Sequence, residues 1–392
     1  MIKNIFKKNV VEFFAGIGLM RLGLEKANWN VTFANDIDPI KEKLYKNNFN
    51  NFEDHFCLED IHLLKPEAIP TSALATASFP CTDLSLAGRR AGLNGQHSSA
   101  FWGFINILKG MGKRKPPLVL LENVAGFLTS NEGNDFKDAL TALNKLGYSV
   151  DAFIINAANF VPQSRVRLFV VGKFVNQLTK DTFKVREYFP ETDFRPTKLV
   201  KFIYNNPEIN WDINHGLAPL PQLGNTIESI VENVDSNSDT WWNAQRVEYF
   251  LNQTSNAHLS KLLNLKRGND YTYLTAFRRV RNGRSMAEIR FDGIAGCLRT
   301  PKGGSARQIL LQVGKDEVNI RLLNPKECAR LMGADDFNIS GTLNEALFGF
   351  GDAVCVPVIT WIANNYLNQA LTQVINLKEQ SVKGIEKYAK LA

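Results

Sequence analysis

Cys81 stands directly behind a proline in S-F-P-C-T-D-L-S, between an apolar run and a polar, glycine-bearing loop. A thiol on such a turn is accessible, and its thiolate is a strong nucleophile. Further along, L-V-L-L-E-N-V carries Glu122 and Asn123, and V-P-Q-S-R-V-R carries Arg165 and Arg167. The two arginines are two residues apart, so they share one face of a strand start. Singly, each has a commoner explanation: a packed cysteine, or arginines paired with surface acids. Together they are a nucleophile, an acid and two cations.

The elements that must hold these groups follow from the apolar pattern. Short apolar runs at 9–13, 30–34, 55–57, 73–79 and 118–121 alternate with helical patterns such as 19–27 and 135–146. This is the signature of a parallel sheet flanked by helices. Runs at 149–155 and 167–174 read as an antiparallel addition. Ligands of such sheets bind beyond the carboxyl ends of the strands. F-F-A-G-I-G follows the first strand, N-D-I-D with Asp36 the second, Asp60 the third, Pro80-Cys81 the fourth, and Glu122-Asn123 ends the fifth. The dinucleotide pattern G-x-G-x-x-G fails, because Arg21 occupies the third glycine position. A G-x-G turn with an acid placed for a ribose diol fits a nucleoside ligand without pyrophosphate, of which S-adenosylmethionine is one. Carbon 5 of a pyrimidine is too weakly nucleophilic to attack a methylsulfonium unaided. Thiolate addition at C6 turns it into an enamine carbon, with a protonated glutamic acid at N3 and an arginine near O2 to hold the developing charge.

The 392 residues can bury one large core and a smaller one. Five cysteines, odd in number and widely spaced, argue against a disulfide framework or a structural metal, and for a reducing, cytoplasmic setting. No secretory signal or membrane-length apolar stretch is read. Residues 176–270 are rich in Asn, Asp, Ser and Pro, which suggests a second, smaller domain with Trp241 and Trp242 in its core. Between 261 and 307 stand eleven Lys/Arg against three Asp/Glu, interleaved with Tyr271, Tyr273 and Phe277. Such a segment reads as a loop-rich surface tracking phosphates and reaching base edges. Helical patterns return at 325–332 and 343–348, an apolar run follows at 354–362, and a basic helix at 377–391 reads as a solvated face.

F-F-A-G-I-G, N-D-I-D-P, F-P-C-T-D-L-S, L-E-N-V, V-P-Q-S-R-V-R-L-F-V-V-G, L-R-T-P-K-G-G-S, L-N-P-K-E-C-A-R-L-M-G and G-D-A-V-C-V-P-V occur in this order. On these motifs the chain resembles the DNA (cytosine-5)-methyltransferases of bacterial and phage type. The resemblance implies a Rossmann-like α/β catalytic domain over 1–178 and a target recognition domain over 179–305. A C-terminal segment, 306–392, would return to the first domain. It implies Cys81 as nucleophile, Glu122 at cytosine N3, Asn123 as its brace, and Arg165 and Arg167 beside the flipped base. Phe14, Ala15, Gly16, Ile17, Gly18, Asp36, Ile37, Asp60, Ile61, Pro80 and Val354 would line the S-adenosylmethionine site, with no metal. Residues 82–100, with Gly88, Gly92 and Gly95, would form a loop closing over the extruded base. Ser85, Arg89, Arg278, Arg279, Arg281, Arg284, Arg299, Lys302 and Arg307 would meet double-stranded DNA. A monomer, cytoplasmic or nucleoid-associated, is expected, with a separately acting restriction endonuclease as a candidate partner. Three positions depart from the family: Asp36 for Glu, Asp352 for Asn and Thr82 for Gln. An RNA-directed enzyme of the same fold and an inactive sequence-specific DNA-binding protein are the alternatives. The long basic region favours DNA, and the retained Cys81, Glu122 and arginines favour activity.

Overall fold

The computed structural model describes residues 7–80, 99–174, 190–224, 226–300, 307–339 and 342–376. Seven strands form the large sheet: β1 (Asn9–Phe13), β2 (Asn30–Asp36), β3 (Phe56–Leu58), β4 (Leu74–Ala77), β5 (Leu118–Val124), β6 (Tyr148–Asn156) and β7 (Val166–Phe174). Their order is β3-β2-β1-β4-β5-β7-β6. The first five run parallel, and β7 joins β5 antiparallel with β6 outside it. Between them lie α1 (Leu19–Glu25), α2 (Pro39–Lys46), α3 (Ser99–Gly110) and α4 (Asn134–Lys145). Alternate strand residues feed opposite cores. Val10, Leu74, Leu118 and Leu120 face one side, and Val11, Ala75, Val119 and Leu121 the other. Burial on both faces is why these strands read as unbroken apolar runs. This is a Rossmann-like α/β fold. The chain leaves β1 toward β2 and β3 on one side and resumes at β4 on the other, so the topological switch point lies between β1 and β4.

Beyond β7 the structure differs from the compositional expectation. Residues 194–213 pack on the large sheet: α5 (Thr197–Asn205) buries Leu199, Val200 and Ile203, and Trp211 is enclosed beside them. Arg195 reaches Asp151 of β6 at 2.7 and 2.9 Å within the core. The basic segment is not loop-rich. After α6 (Ala244–Leu251) and α7 (Asn256–Lys266) come β8 (Thr272–Arg281), β9 (Arg284–Arg290), β10 (Ile309–Gly314) and β11 (Glu317–Leu322), a four-stranded antiparallel sheet in the order β11-β10-β8-β9. One sheet therefore continues on both sides of residue 305. Two tight turns make it: Asn282-Gly283, with φ of 49° and 74°, and Lys315-Asp316, with φ of 52° and 62°. Both central residues at positive φ is the two-residue hairpin geometry whose twist matches the strands. Phe250 and Leu262 of the helices cover one face of this sheet, and Trp242 packs on the same cluster. Leu310 points the other way, into the main core with Ile227, Ile230 and Leu298.

The chain closes with α8 (Pro325–Leu331), α9 (Leu343–Asp352) and α10 (Val356–Ile362). The helical run Leu343–Asn376 is long and apolar enough to cross a membrane, contrary to the reading that no stretch reaches that length. Its most apolar window is 67 % buried inside the fold, as for a core helix. The basic terminal stretch 377–391 lies outside the described residues.

Candidate active site

The site sits at the carboxyl ends of β1, β2, β4 and β5. Past β1 the backbone takes positive φ at Phe14 (58°), Gly16 (58°) and Gly18 (90°). Gly18 is required twice over, since a Cβ there would also lie 2.3 Å from Phe49. A Cβ on Gly16 would meet nothing within 4 Å, so that position opens onto free space. The turn is fastened by Asp36 at the end of β2. Its buried carboxylate accepts from the Gly16 N–H at 2.8 Å and from the Asp38 N–H at 3.0 Å. Each oxygen keeps a second lone pair for a diol. The neighbouring Ile37 is 64 % exposed, an apolar surface beside a buried acid. Ala15, Ile17, Ile61 and Val354 are buried around the same end of the sheet, Asp60 is half-buried and Pro80 exposed. Asp60 accepts from the His62 N–H at 2.9 Å.

Sheet register brings the candidate acid and one candidate cation together. Glu122 lies opposite Phe169, which puts Arg167, two residues away, diagonally on the same face. Arg167 Nε meets Glu122 Oε1 at 2.9 Å. Burial pushes the Glu122 carboxyl above its ordinary range, against the pull of Arg167 and Arg165. Asn123 donates Nδ2–H to the Phe79 carbonyl at 3.2 Å and accepts from the Val124 N–H at 2.8 Å, tying β5 to the turn that carries Pro80.

Arg165 is differently employed from its partner. It is 1 % exposed and donates to the Cys297 thiol at 3.3 Å and to the carbonyls of Leu298 (3.1 Å), Gly351 (3.0 Å) and Ala353. Its guanidinium thus joins β7 to two distant segments. Arg165 and Arg167 together draw the Cys297 thiol below its ordinary range, although burial opposes this. Cys81, Ser85, Arg89, Lys302, Thr82 and the loop glycines lie outside the described residues. Arg278, Arg279, Arg281 and Arg284 sit on the β8–β9 hairpin, Arg299 is exposed near the site, and Arg307 lies two residues before β10.

Several contributors went unread in the sequence. Arg21, noticed only for spoiling a glycine pattern, is buried against the ring of Phe49 and donates to Glu25 (2.7 Å), Tyr45 (3.0 Å) and Asn51 (2.9 Å). It locks α1, and so the glycine turn, onto α2. Gln163 donates to the Leu331 carbonyl at 2.6 Å and accepts from the Leu298 N–H at 3.1 Å, a role its P-Q-S-R setting could have suggested. Asp352 pairs with Lys41 at 3.3 Å, which balances the charge this position adds. Glu12, inside β1, is 2 % exposed, and its Oε2 has no hydrogen-bond partner. Burial raises its carboxyl to about 8, with Arg21 opposing and Glu25 and Asp36 reinforcing.

Residues 8–368 match the family described as C-5 cytosine-specific DNA methylase. The chain belongs to that family. It is 28 % identical over 362 residues to the type II methyltransferase M.SsoII of Shigella sonnei, covering 92 % of this chain and 80 % of that protein. It is 26 % identical over 366 residues to the type II methyltransferase M.HhaI of Haemophilus parahaemolyticus, covering 93 % and 95 %. The Dnmt2 methyltransferase of S. pombe shares the fold, with a TM-score of 0.57 at 16 % identity over 92 % of this chain and 98 % of that one. This C-5 cytosine methyltransferase holds no group of three or more potential metal-ligating His, Cys, Asp or Glu among its described residues. Family members use S-adenosylmethionine. The residues at the switch point suit it: an acid with free lone pairs, an exposed apolar neighbour and open space over a glycine turn.

Proposed function

We propose that this enzyme extrudes a cytosine from a specific site in duplex DNA and methylates its C5, with Cys81 as the nucleophile. The buried Glu122–Arg167 pair at the end of β5 carries the reading. S-adenosylmethionine, held by Asp36, Ile37 and the Gly16–Gly18 turn with Asp60 and Val354 nearby, supplies an electrophilic methyl group when bound. Cys81 thiolate adds to C6, and the bond electrons move to C5; once C5 carries the methyl group, loss of the C5 proton to a base expels the thiolate from C6 and restores the ring. Glu122 keeps a proton at N3, where charge would otherwise build, and Arg167 both positions Glu122 and faces O2. Asn123 holds that pair in register with the Pro80 turn. Arg165 acts as a positioning residue through the carbonyls it gathers. The recognition unit is centred on α6, α7 and the β8–β11 sheet, which runs on past residue 305, whereas 194–213 belong to the catalytic core. The enzyme acts as a cytoplasmic monomer, and a separately acting restriction endonuclease fits its similarity to type II methyltransferases.

Labelled S-adenosylmethionine, mixed plasmid and tRNA test the substrate: label should enter DNA, and label confined to tRNA reverses the assignment. Cys81→Ser should abolish transfer while DNA binding persists. Normal methylation by that variant would remove the nucleophile. Bisulfite sequencing of DNA from expressing cells then reads the target.

A further inference from the structure

The arginines of the basic segment are not in equivalent electrostatic positions. On one face of the β8–β9 hairpin, Arg279 gives Nε and Nη2 to Glu288 at 2.8 and 2.7 Å, and Arg281 reaches the same carboxylate at 3.4 Å. Arg290 pairs with Asp292 at 2.5 Å. On the opposite face, Arg278 has no acidic partner among the described residues. It lies instead 5.7, 5.9 and 6.0 Å from the ring centroids of Trp242, Tyr249 and Phe250. Arg246 of α6 stacks on the Trp242 ring at 4.1 Å. Arg307 gives Nη2 to the neutral amide of Asn344 at 2.6 Å. Arg278 Nε and Arg307 Nε are both buried without an acceptor. Burial, then Arg278 and Arg307, depress the titration of Arg246, so the three cations feel one another.

A ring holds a guanidinium without cancelling its charge, whereas a carboxylate cancels it. The two faces therefore differ: one sets two carboxylates among its arginines, and the other keeps its charge and N–H donors without an acidic partner among the described residues. The sheet explains the shape of the charged face. Leu274 and Ala276 lie beneath the helices, Arg278 stands at the edge of that layer, and Val280 beyond it is 71 % exposed. Arg278 and Arg246 meet over the Trp242 ring, which brings the hairpin to the side of α6. Arg246 and Tyr249 line a shallow, open depression along the exposed flank of α6, which Glu248 shares. These arginines also lie close to the chemistry. Arg165 holds Gly351 at one end of α9, and Arg307 holds Asn344 near its start. At ~1.5 Å per residue the two points are roughly 10 Å apart.

We propose that Arg246, Arg278 and Arg307 form a seat for backbone phosphates of duplex DNA close to the extruded cytosine. The seat is sequence-independent and separate from the acid-paired hairpin arginines. The inference rests on the DNA methyltransferase reading, and its test separates the two. Affinity for a cognate and a scrambled duplex is measured over a range of salt for wild type, Arg246→Gln, Arg278→Gln and Arg279→Gln. Thermal melts confirm that each variant is folded. Each lost phosphate contact should lower the slope of log affinity against log salt by about 0.9. Arg246→Gln and Arg278→Gln should each do so and weaken both duplexes alike, while Arg279→Gln should move the slope by less than half as much. Wild-type slopes in the first two variants overturn the seat. So does selective loss of the cognate duplex, which would make these arginines base readers. Failure of wild type to methylate any DNA would instead sink the underlying reading.

Discussion

Glu122 and Glu12 are both buried carboxyls, and both should leave a mark on pH dependence. Glu122 is raised by burial, so its proton persists above the ordinary carboxylate range and is lost as pH climbs through the folded value. Single-turnover transfer should therefore decline on the alkaline side. Glu122→Gln should slow transfer by roughly 10²–10⁴-fold, the usual scale of a positioned acid, with DNA affinity kept. A variant within threefold of wild type would deny Glu122 its role. Glu12 concerns stability. Its folded value of about 8 lies above its ordinary value of 4.5. The native state then binds the extra proton, and stability falls as pH rises from about 4.5 to about 8. Urea melts at pH 5.5 and 8.0 should show this decline, and Glu12→Gln should remove that component of it.

At the scale of elements, two buried ion pairs fasten the joints of the fold. Asp151 on β6 accepts from Arg195, the Asn214 N–H (2.9 Å) and the Tyr366 hydroxyl (2.9 Å), holding three separate segments. Glu327 of α8 does the same for Arg321 on β11 and the Glu232 N–H. Removing one partner leaves an uncompensated buried charge, so Glu327→Ala should cost about 3–5 kcal/mol, read as a shift in the urea midpoint. These joints also show what the sequence could not tell. The strands of the large sheet were legible because they are buried on both faces, and the places of Asp36, Glu122 and Asn123 because they stand at the carboxyl ends of those strands. The small sheet was not. Along β8, arginines at 278 and 279 replace the apolar alternation that identifies strands, and Trp242 and Phe250 supply the missing apolar cover from another element. The Asn282-Gly283 dipeptide was the available hairpin signal and went unused. Helix α5 was hidden by its setting: Asn, Pro and Asp around it suggested a new domain, while Leu199, Val200 and Ile203 were core. The employment of Arg165 was also unreadable, since its acceptors are backbone carbonyls from far along the chain.

Over the whole molecule, the small sheet leans on the main core through Leu310 while its other face is closed by its own helices. Cofactor binding at the switch point should stabilise the entire unit. At a hundredfold excess over Kd, S-adenosylmethionine should add about 2.7 kcal/mol, visible as a rise in Tm. Asp36→Ala should abolish most of that rise, and an undiminished rise would place the ligand elsewhere.

The bonds of Arg165 carry a further consequence, in the order of events by which the enzyme comes to exist. Its acceptors lie 132 to 188 positions away in sequence, so the loops they close are among the costliest to form. A chain still emerging from the ribosome can pair β1 through β7 before Gly351 and Ala353 have been made. Until they arrive, Arg165 has no carbonyls to gather at that end, and the catalytic face remains unbuilt. Competence is thereby withheld until synthesis is almost finished, and a fragment ending before α9 should transfer no methyl group, since it lacks these carbonyls and the helices that cover one face of the large sheet.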